Sequence, residues 1–300
     1  MTAILSSAPT KAVLEPLASI AVVAPAGIPR QAEMERGIAL LEEWGYRVVR
    51  GSHLHSRYRY NAGSIAERTA DLNWALTCPD IDAVWLARGG YGCVHCLSSL
   101  PTKLPKERML IGNSDATSLL SALYRRGHTN LIHGPMLESL NSRVDDETRD
   151  SMLRLVRTSV PPVMHVEQLC GPAGAVSGPL IGGNLTVLAS IAGTPAAMDA
   201  KGSIVLFEDV GEAAYRLDRC MMQLMLSGAL TGVRAVVFGE FLRCPVPEAE
   251  AFSIEEMMRD LLQPLGIPVF YGARFGHGSR NLAWPYGRIA TIDGGEEVSL

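Results

Sequence analysis

Three polar residues far apart in the chain, Ser114, Glu208 and His277, have the types and settings that acyl-transfer chemistry needs. A serine hydroxyl is a weak nucleophile at neutral pH. Histidine supplies the general base it lacks, and a carboxylate fixes the imidazole tautomer and steadies the charge that develops. Ser114 follows the apolar run Met109-Leu110-Ile111 and the residues Gly112 and Asn113; Asp115 comes next, and an apolar helical pattern then recurs at Leu119, Leu120, Leu123 and Tyr124. This order predicts a tight strand-to-helix turn with an exposed hydroxyl close to helix N-terminal amides. Asp115 brings a backbone N–H beside the hydroxyl, and Ala116 keeps the following position small. The stretch is not Gly-x-Ser-x-Gly, so the usual α/β-hydrolase elbow signature is absent. Taken alone, a serine in this place is also an ordinary helix N-cap.

Glu208 ends the apolar pattern Ile204-Val-Leu-Phe207, and His277 sits between Gly276 and Gly278. In isolation the acid reads as a loop residue or cap, and the histidine as a turn residue. Flanking glycines equally let an imidazole reach a serine carried by another part of the chain. The loop Arg88-Gly-Gly-Tyr-Gly92 follows a strand pattern but lacks the spacings of nucleotide-binding loops. Its Gly89 or Gly90 offers a second amide for an oxyanion hole, next to that of Asp115. Cys93-Val-His95-Cys96 has a Cys-x-x-Cys spacing, with His95 and His133 as further ligands to weigh. No second pair at zinc spacing accompanies it, so it reads better as a helical turn with Cys93 and Cys96 facing inward. No metal and no cofactor are expected.

The elements that must position these residues alternate in the first half. Strand patterns at Ser19–Pro25, Tyr46–Val49, Ile81–Ala87, Met109–Ile111 and Leu131–Pro135 are separated by helix patterns. These helices run from Arg30 to Trp44, stopped by Gly45, and from Ser64 to Thr77, opened by a Ser64/Glu67 capping box. Another follows Asp145 to about Thr158. Continuous apolar strands alternating with helices predict a parallel sheet covered on both faces, with the site beyond the carboxyl ends of its strands. Residues 165–184 are rich in glycine and place a linker near 160–175. The chain then divides into an N-terminal α/β domain, residues 1–165, carrying Ser114, and a β-rich C-terminal domain, residues 170–300, carrying Glu208 and His277. The second half shows strands near 202–207, 234–238 and 267–270, helices at 215–227 and 253–265, and a closing hairpin over 288–300.

Composition narrows the classes. The chain has 300 residues, 47% hydrophobic and 19% charged, with a net charge of −4, so it is globular and has no basic footprint for nucleic acid or an anionic membrane. No apolar stretch is long enough to span a bilayer. The first residues read as a short ragged tail with no export signal, which predicts a cytoplasmic protein. Six irregularly spaced cysteines predict free thiols.

Seven motifs fall in one order: Ala24-Pro-Ala-Gly27, Ala87-Arg-Gly-Gly-Tyr-Gly92, Gly112-Asn-Ser-Asp-Ala-Thr117, His133-Gly-Pro135, Gly182-Gly-Asn-Leu-Thr186, Glu208-Asp-Val-Gly-Glu212 with Tyr215-Arg-Leu-Asp-Arg219, and Gly276-His-Gly278 with Asn281-Leu282. In this the chain resembles the LD-carboxypeptidase family over about residues 19–292. The resemblance implies a serine peptidase with a Ser114–Glu208–His277 triad and an N-terminal parallel-sheet α/β domain like that of class I glutamine amidotransferases. It also implies a smaller β-rich C-terminal domain, a site between the two, and a homodimer. The reaction it implies is removal of the terminal D-alanine from murein tetrapeptides in cell-wall recycling. A related branch, the microcin immunity proteins, cleaves peptidyl or acyl nucleotide toxins with the same triad, and a binding module that keeps only the fold is the non-enzymatic alternative. Asn113 stands where the family commonly has an aromatic and Ala116 where a larger aliphatic is usual. Cys93-Val-His-Cys96 replaces smaller and basic residues, and a common proline is missing from Glu212–Tyr215. A carboxypeptidase also needs a group for the free carboxylate of its substrate, for which Asn184 and Arg216 are the residues considered.

Overall fold

The structure is a computed structural model, and it describes residues 2–7, 13–104, 108–247 and 251–293. Six strands form the first sheet: β2 (Ser19–Val23), β3 (Arg47–Arg50), β4 (Ala83–Leu86), β5 (Met109–Gly112), β6 (Leu131–His133) and β12 (Trp284–Tyr286). Their order is β12-β6-β5-β4-β2-β3, parallel except for β12 at the edge. The pleat sends alternate side chains to opposite faces, and both faces are buried. Ile20 and Val22 pack with Met34, Ile38 and Leu41 of α1 (Gln31–Glu43), Leu137 and Leu140 of α4 (Leu137–Leu140), and Met152 and Leu155 of α5 (Asp146–Thr158). Ala21 and Val23 face Leu72 and Leu76 of α2 (Ile65–Thr77) and Leu119 and Leu123 of α3 (Thr117–Arg125). Each large aliphatic side chain buried this way contributes about 1.5–3 kcal/mol. Local signals hold as read: Ser64 and Glu67 make both hydrogen bonds of the capping box, and Gly45 follows α1 with φ of 87°.

The second sheet closes into a barrel, in the order β1-β13-β8-β9-β10-β11-β7. Its strands are β1 (Thr2–Ser7), β7 (Met164–Cys170), β8 (Val176–Asn184), β9 (Ile204–Val210), β10 (Ala235–Leu242), β11 (Val269–Tyr271) and β13 (Ile289–Asp293). From β8 to β11 they are parallel and linked through α6 (Leu185–Ser190), α7 (Ala214–Leu226) and α8 (Ile254–Leu262). Barrel residues such as Leu180, Val205 and Val236 share one apolar cluster with α2 and α3, and the barrel meets the first sheet through α3, which contacts β8, and at the edge strand β12.

Several expectations change. Thr2–Ser7 is not a ragged tail but a barrel strand, antiparallel to both β7 and β13. The expected linker near 160–175 contains strand β7, where Met164 and Val166 are buried and His165 and Glu167 exposed, the alternation of a half-buried strand. Sheet membership also crosses the two halves, because β1 joins the barrel and β12 covers the edge of β6 in the first sheet. The closing hairpin has its first strand as β13; its second falls outside the described residues.

Since β1 bridges β7 and β13, deleting residues 2–7 leaves two unpaired edges and opens the barrel. We expect the thermal midpoint to fall by at least ~5 °C, since each kcal/mol lost shifts it by roughly 2–4 °C at this size. An unchanged midpoint in a calorimetric scan contradicts this role for the strand.

Candidate active site

β5 lies between β4 and β6 and ends at Gly112 on the carboxyl edge of the sheet. Asn113 is still extended, and Ser114 then turns sharply into the left-handed region with φ of 57°, opening a short 3-10 turn, Ser114–Ala116, that runs into α3. For a serine this conformation costs about 1–3 kcal/mol and persists only where its surroundings enforce it. They do so on every side. Asn113 Nδ2 donates to the carbonyl of Gly276 at 3.0 Å, and the Ala116 N–H donates back to the Asn113 carbonyl at 3.0 Å. A Cβ on Gly112 would lie 3.0 Å from that of Ala116, so the tight turn needs both small residues. The buried Asp115 carboxylate accepts the Cys93 N–H at 2.7 Å, tying the turn to the glycine loop after β4.

That loop passes over the serine. A Cβ on Gly89 would sit 2.9 Å from Ser114 Oγ, so only bare backbone fits beside the hydroxyl. The Gly89 carbonyl accepts from Gly27 N–H at 2.9 Å, and Gly90 takes φ of 103°. Beyond it, Asn61 Nδ2 and Arg68 Nη1 donate to the carbonyls of Tyr91 and Gly92. Cys93 and Cys96 lie buried on the inner side of a 3-10 turn, Cys93–Ser99, and burial pushes both thiols up, which keeps them protonated. His95 Nδ1 lies 3.0 Å from Arg68 Nη2. Among the described residues no group of three or more histidine, cysteine or acidic side chains converges as metal ligands do.

Glu208 and His277 come from the second half. Glu208 is fully buried on β9, and its Oε2 accepts from His277 Nδ1 at 2.6 Å. This hydrogen bond puts the proton on Nδ1 and leaves Nε2 as the basic nitrogen. Gly276 takes φ of 134° and donates its N–H to Asn281 Oδ1 at 3.1 Å; a Cβ there would lie 3.2 Å from Glu208 Oε2. Burial disfavours the imidazolium of His277, but the Glu208 charge and hydrogen bond outweigh it and raise the pKa above the ordinary 6.5. His133, at the end of β6, behaves in the opposite way. It is fully buried, stacked on Trp284 at 4.8 Å, and burial, followed by the charge of His277, lowers its pKa to about 3. It stays neutral as core packing.

Ser114, His277, Gly89 and Gly90 line one cavity of about 310 Å³. Asn184 and Arg216 do not. Asn184 is buried and fully engaged: its Oδ1 caps α6 by accepting Val187 N–H at 3.0 Å, and its Nδ2 donates to Asp209 Oδ1 at 3.0 Å. Arg216 lies on the outer face of α7, paired with Glu212 at 3.3 Å and Tyr215 Oη at 3.2 Å. The charged groups that line the cavity beside His277 are instead Arg88, Glu138 and Arg143, which sequence reasoning passed over. The signal was available: Glu138 and Arg143 follow β6, and residues after a parallel strand emerge on the same carboxyl edge as Ser114.

The chain matches the LD-carboxypeptidase N-terminal domain over residues 20–134 and the LD-carboxypeptidase C-terminal domain over residues 177–292. It is 38% identical over 287 residues to the murein tetrapeptide carboxypeptidase of Pseudomonas aeruginosa, covering 92% of this chain and 93% of that protein. Among solved structures it resembles muramoyltetrapeptide carboxypeptidase from Oxalobacter formigenes, with a TM-score of 0.79 and 29% identity over 93% of this chain and all of the other. The microcin C7 self immunity protein MccF, in complex with aspartyl sulfamoyl adenosine, shares the fold with a TM-score of 0.83 at 20% identity, over 97% of this chain and 100% of that one. Two family domains in sequence order, together with these relatives, place the chain in the LD-carboxypeptidase family of peptidases.

Proposed function

We propose that the chain is a serine LD-carboxypeptidase that removes the terminal D-alanine of murein tetrapeptides through Ser114, His277 and Glu208. The observation that carries this reading is the 2.6 Å His277–Glu208 hydrogen bond, on the same cavity as a serine held in a left-handed turn. Ser114 Oγ attacks the scissile carbonyl while His277 Nε2 takes its proton. The imidazolium, stabilised by Glu208, then protonates the departing amine, and water enters by the same route in reverse to release the acyl group. The Asp115 N–H and an amide of Gly89 or Gly90 stabilise the oxyanion. Residues 1–165 supply the nucleophile and residues 170–300 the base and its carboxylate. The higher identity to the murein tetrapeptide carboxypeptidase favours a murein peptide over a nucleotide toxin conjugate as substrate. Six free cysteines fit the cytoplasm, where the products of wall turnover are recycled, and the family resemblance supports a homodimer.

The direct test is to incubate the protein with a mixed muropeptide pool and follow products by mass spectrometry. Tetrapeptides should lose one alanine, and Ser114→Ala should slow this by roughly 10⁴-fold or more with unchanged thermal stability. Near-wild-type turnover in Ser114→Ala sinks the assignment. The raised pKa of His277 sets a second expectation. The free enzyme needs neutral imidazole, so kcat/KM should fall with decreasing pH through a midpoint above the ordinary 6.5. Glu208→Gln removes the stabilising charge and leaves burial dominant, which should move that midpoint downward as well as lowering the rate. An acid limb that stays in place would argue against His277 as the base.

A further inference from the structure

A carboxypeptidase distinguishes a chain end by its free carboxylate, and that anion lies only three bonds from the scissile carbonyl carbon. A cation on the wall of the Ser114–His277 cavity is therefore placed to pair with it. Arg88 and Arg143 line that wall, and the two differ in how far their charge is already used. The Glu138 carboxylate is buried; it accepts the Arg30 N–H at 3.0 Å and Arg30 Nη2 at 3.2 Å, and lies 3.8 Å from Arg88 Nε. Arg88 Nη1 donates to the Ile28 carbonyl at 2.7 Å. Arg88 is thus held as part of the wall. Arg143 is exposed to the cavity, and among the described residues its guanidinium has neither an ion-pair nor a hydrogen-bond partner.

The backbone that carries Arg143 is nevertheless fixed. Its N–H donates to the Ser139 carbonyl at 3.0 Å, and the next residue, Val144, is buried. Asp145 N–H donates at 2.8 Å to the carbonyl of Ser279, two residues after His277, and the Asp145 carboxylate accepts Arg280 Nε at 2.9 Å. The arginine is therefore held in register with the histidine loop while its charged head stays open.

Resting on the activity proposed above, we infer that Arg143 binds the free carboxylate of the residue to be released, and so makes the site an exopeptidase site. Its planar fork matches a carboxylate with two parallel hydrogen bonds, and the concave wall reduces screening of the pair. Lysine provides the charge without the fork, so Arg143→Lys should keep only part of the effect.

The test compares a murein tetrapeptide ending in free D-alanine with the same peptide ending in D-alaninamide. Wild type should prefer the acid. In Arg143→Ala the ratio of kcat/KM for acid over amide should fall at least ~10-fold, mainly through KM for the acid, with Arg143→Lys between the two. A purely structural role would lower both substrates together and leave the ratio unchanged, and thermal unfolding of each variant checks that it is folded. An unchanged ratio overturns the assignment of Arg143 while leaving the triad in place. If the wild type hydrolyses neither peptide, the proposed activity fails and this inference falls with it.

Discussion

One buried hydrogen bond, from Asn113 Nδ2 to the carbonyl of Gly276, joins the residue before the serine to the residue before the histidine. The two are 163 positions apart in sequence and belong to different sheets' ends, so the site depends on that register. Ser114 cannot relax out of its left-handed conformation without disturbing Asn113, and the His277 loop cannot shift without losing the same contact. The amide of Asn113 thus gives this polar residue a definite structural task. The Asp145 N–H to Ser279 carbonyl bond ties the same histidine loop to the segment that follows β6.

The rest of the fold maintains this junction. The first sheet brings β4, β5 and β6 to one edge, which sets the glycine loop, the serine and the Glu138–Arg143 segment side by side. The barrel meets the start of α3 through β8. Gly183 allows β8 to come close to Thr117, where a Cβ would lie 2.5 Å from its Oγ1, and the Asn184 N–H donates to that hydroxyl at 3.0 Å. Asp209, next to Glu208, accepts from Thr186 N–H and Oγ1, so the carboxylate strand is anchored to the start of α6. Asn184, considered for substrate binding, serves this anchoring instead.

Much of the site was legible because its signals are local. The Gly112–Asp115 sequence, the glycine loop and the glycines around His277 each report a backbone conformation directly. The parallel sheet was equally legible from its continuous apolar runs. What stayed hidden depends on long-range pairing. β8 contains Gly178, Pro179, Gly182 and Gly183, which carry no strand pattern; neighbouring backbone lies where side chains would be at Gly178 and Gly182, as with the Gly202 carbonyl 2.6 Å from a Cβ position at Gly178, and the Thr117 side chain fills that space at Gly183. β12 contains Pro285, which a sheet accepts only at an edge, and nothing local shows that the edge is that of β6. β1 lies in a segment whose pairing partners are more than 150 residues away. Asn184 and Arg216 rest on residue type alone, whereas the place of Arg143 on the cavity wall is visible only in the fold.

The central claim is that Ser114 is a nucleophile activated by an imidazole from the other half of the chain. It is tested most directly by intact-mass and peptide-level analysis after reaction with a fluorophosphonate probe. The account predicts a single adduct, on Ser114, formed rapidly in the wild type and lost in His277→Ala. No adduct at Ser114, or equal labelling of the wild type and His277→Ala, would contradict it.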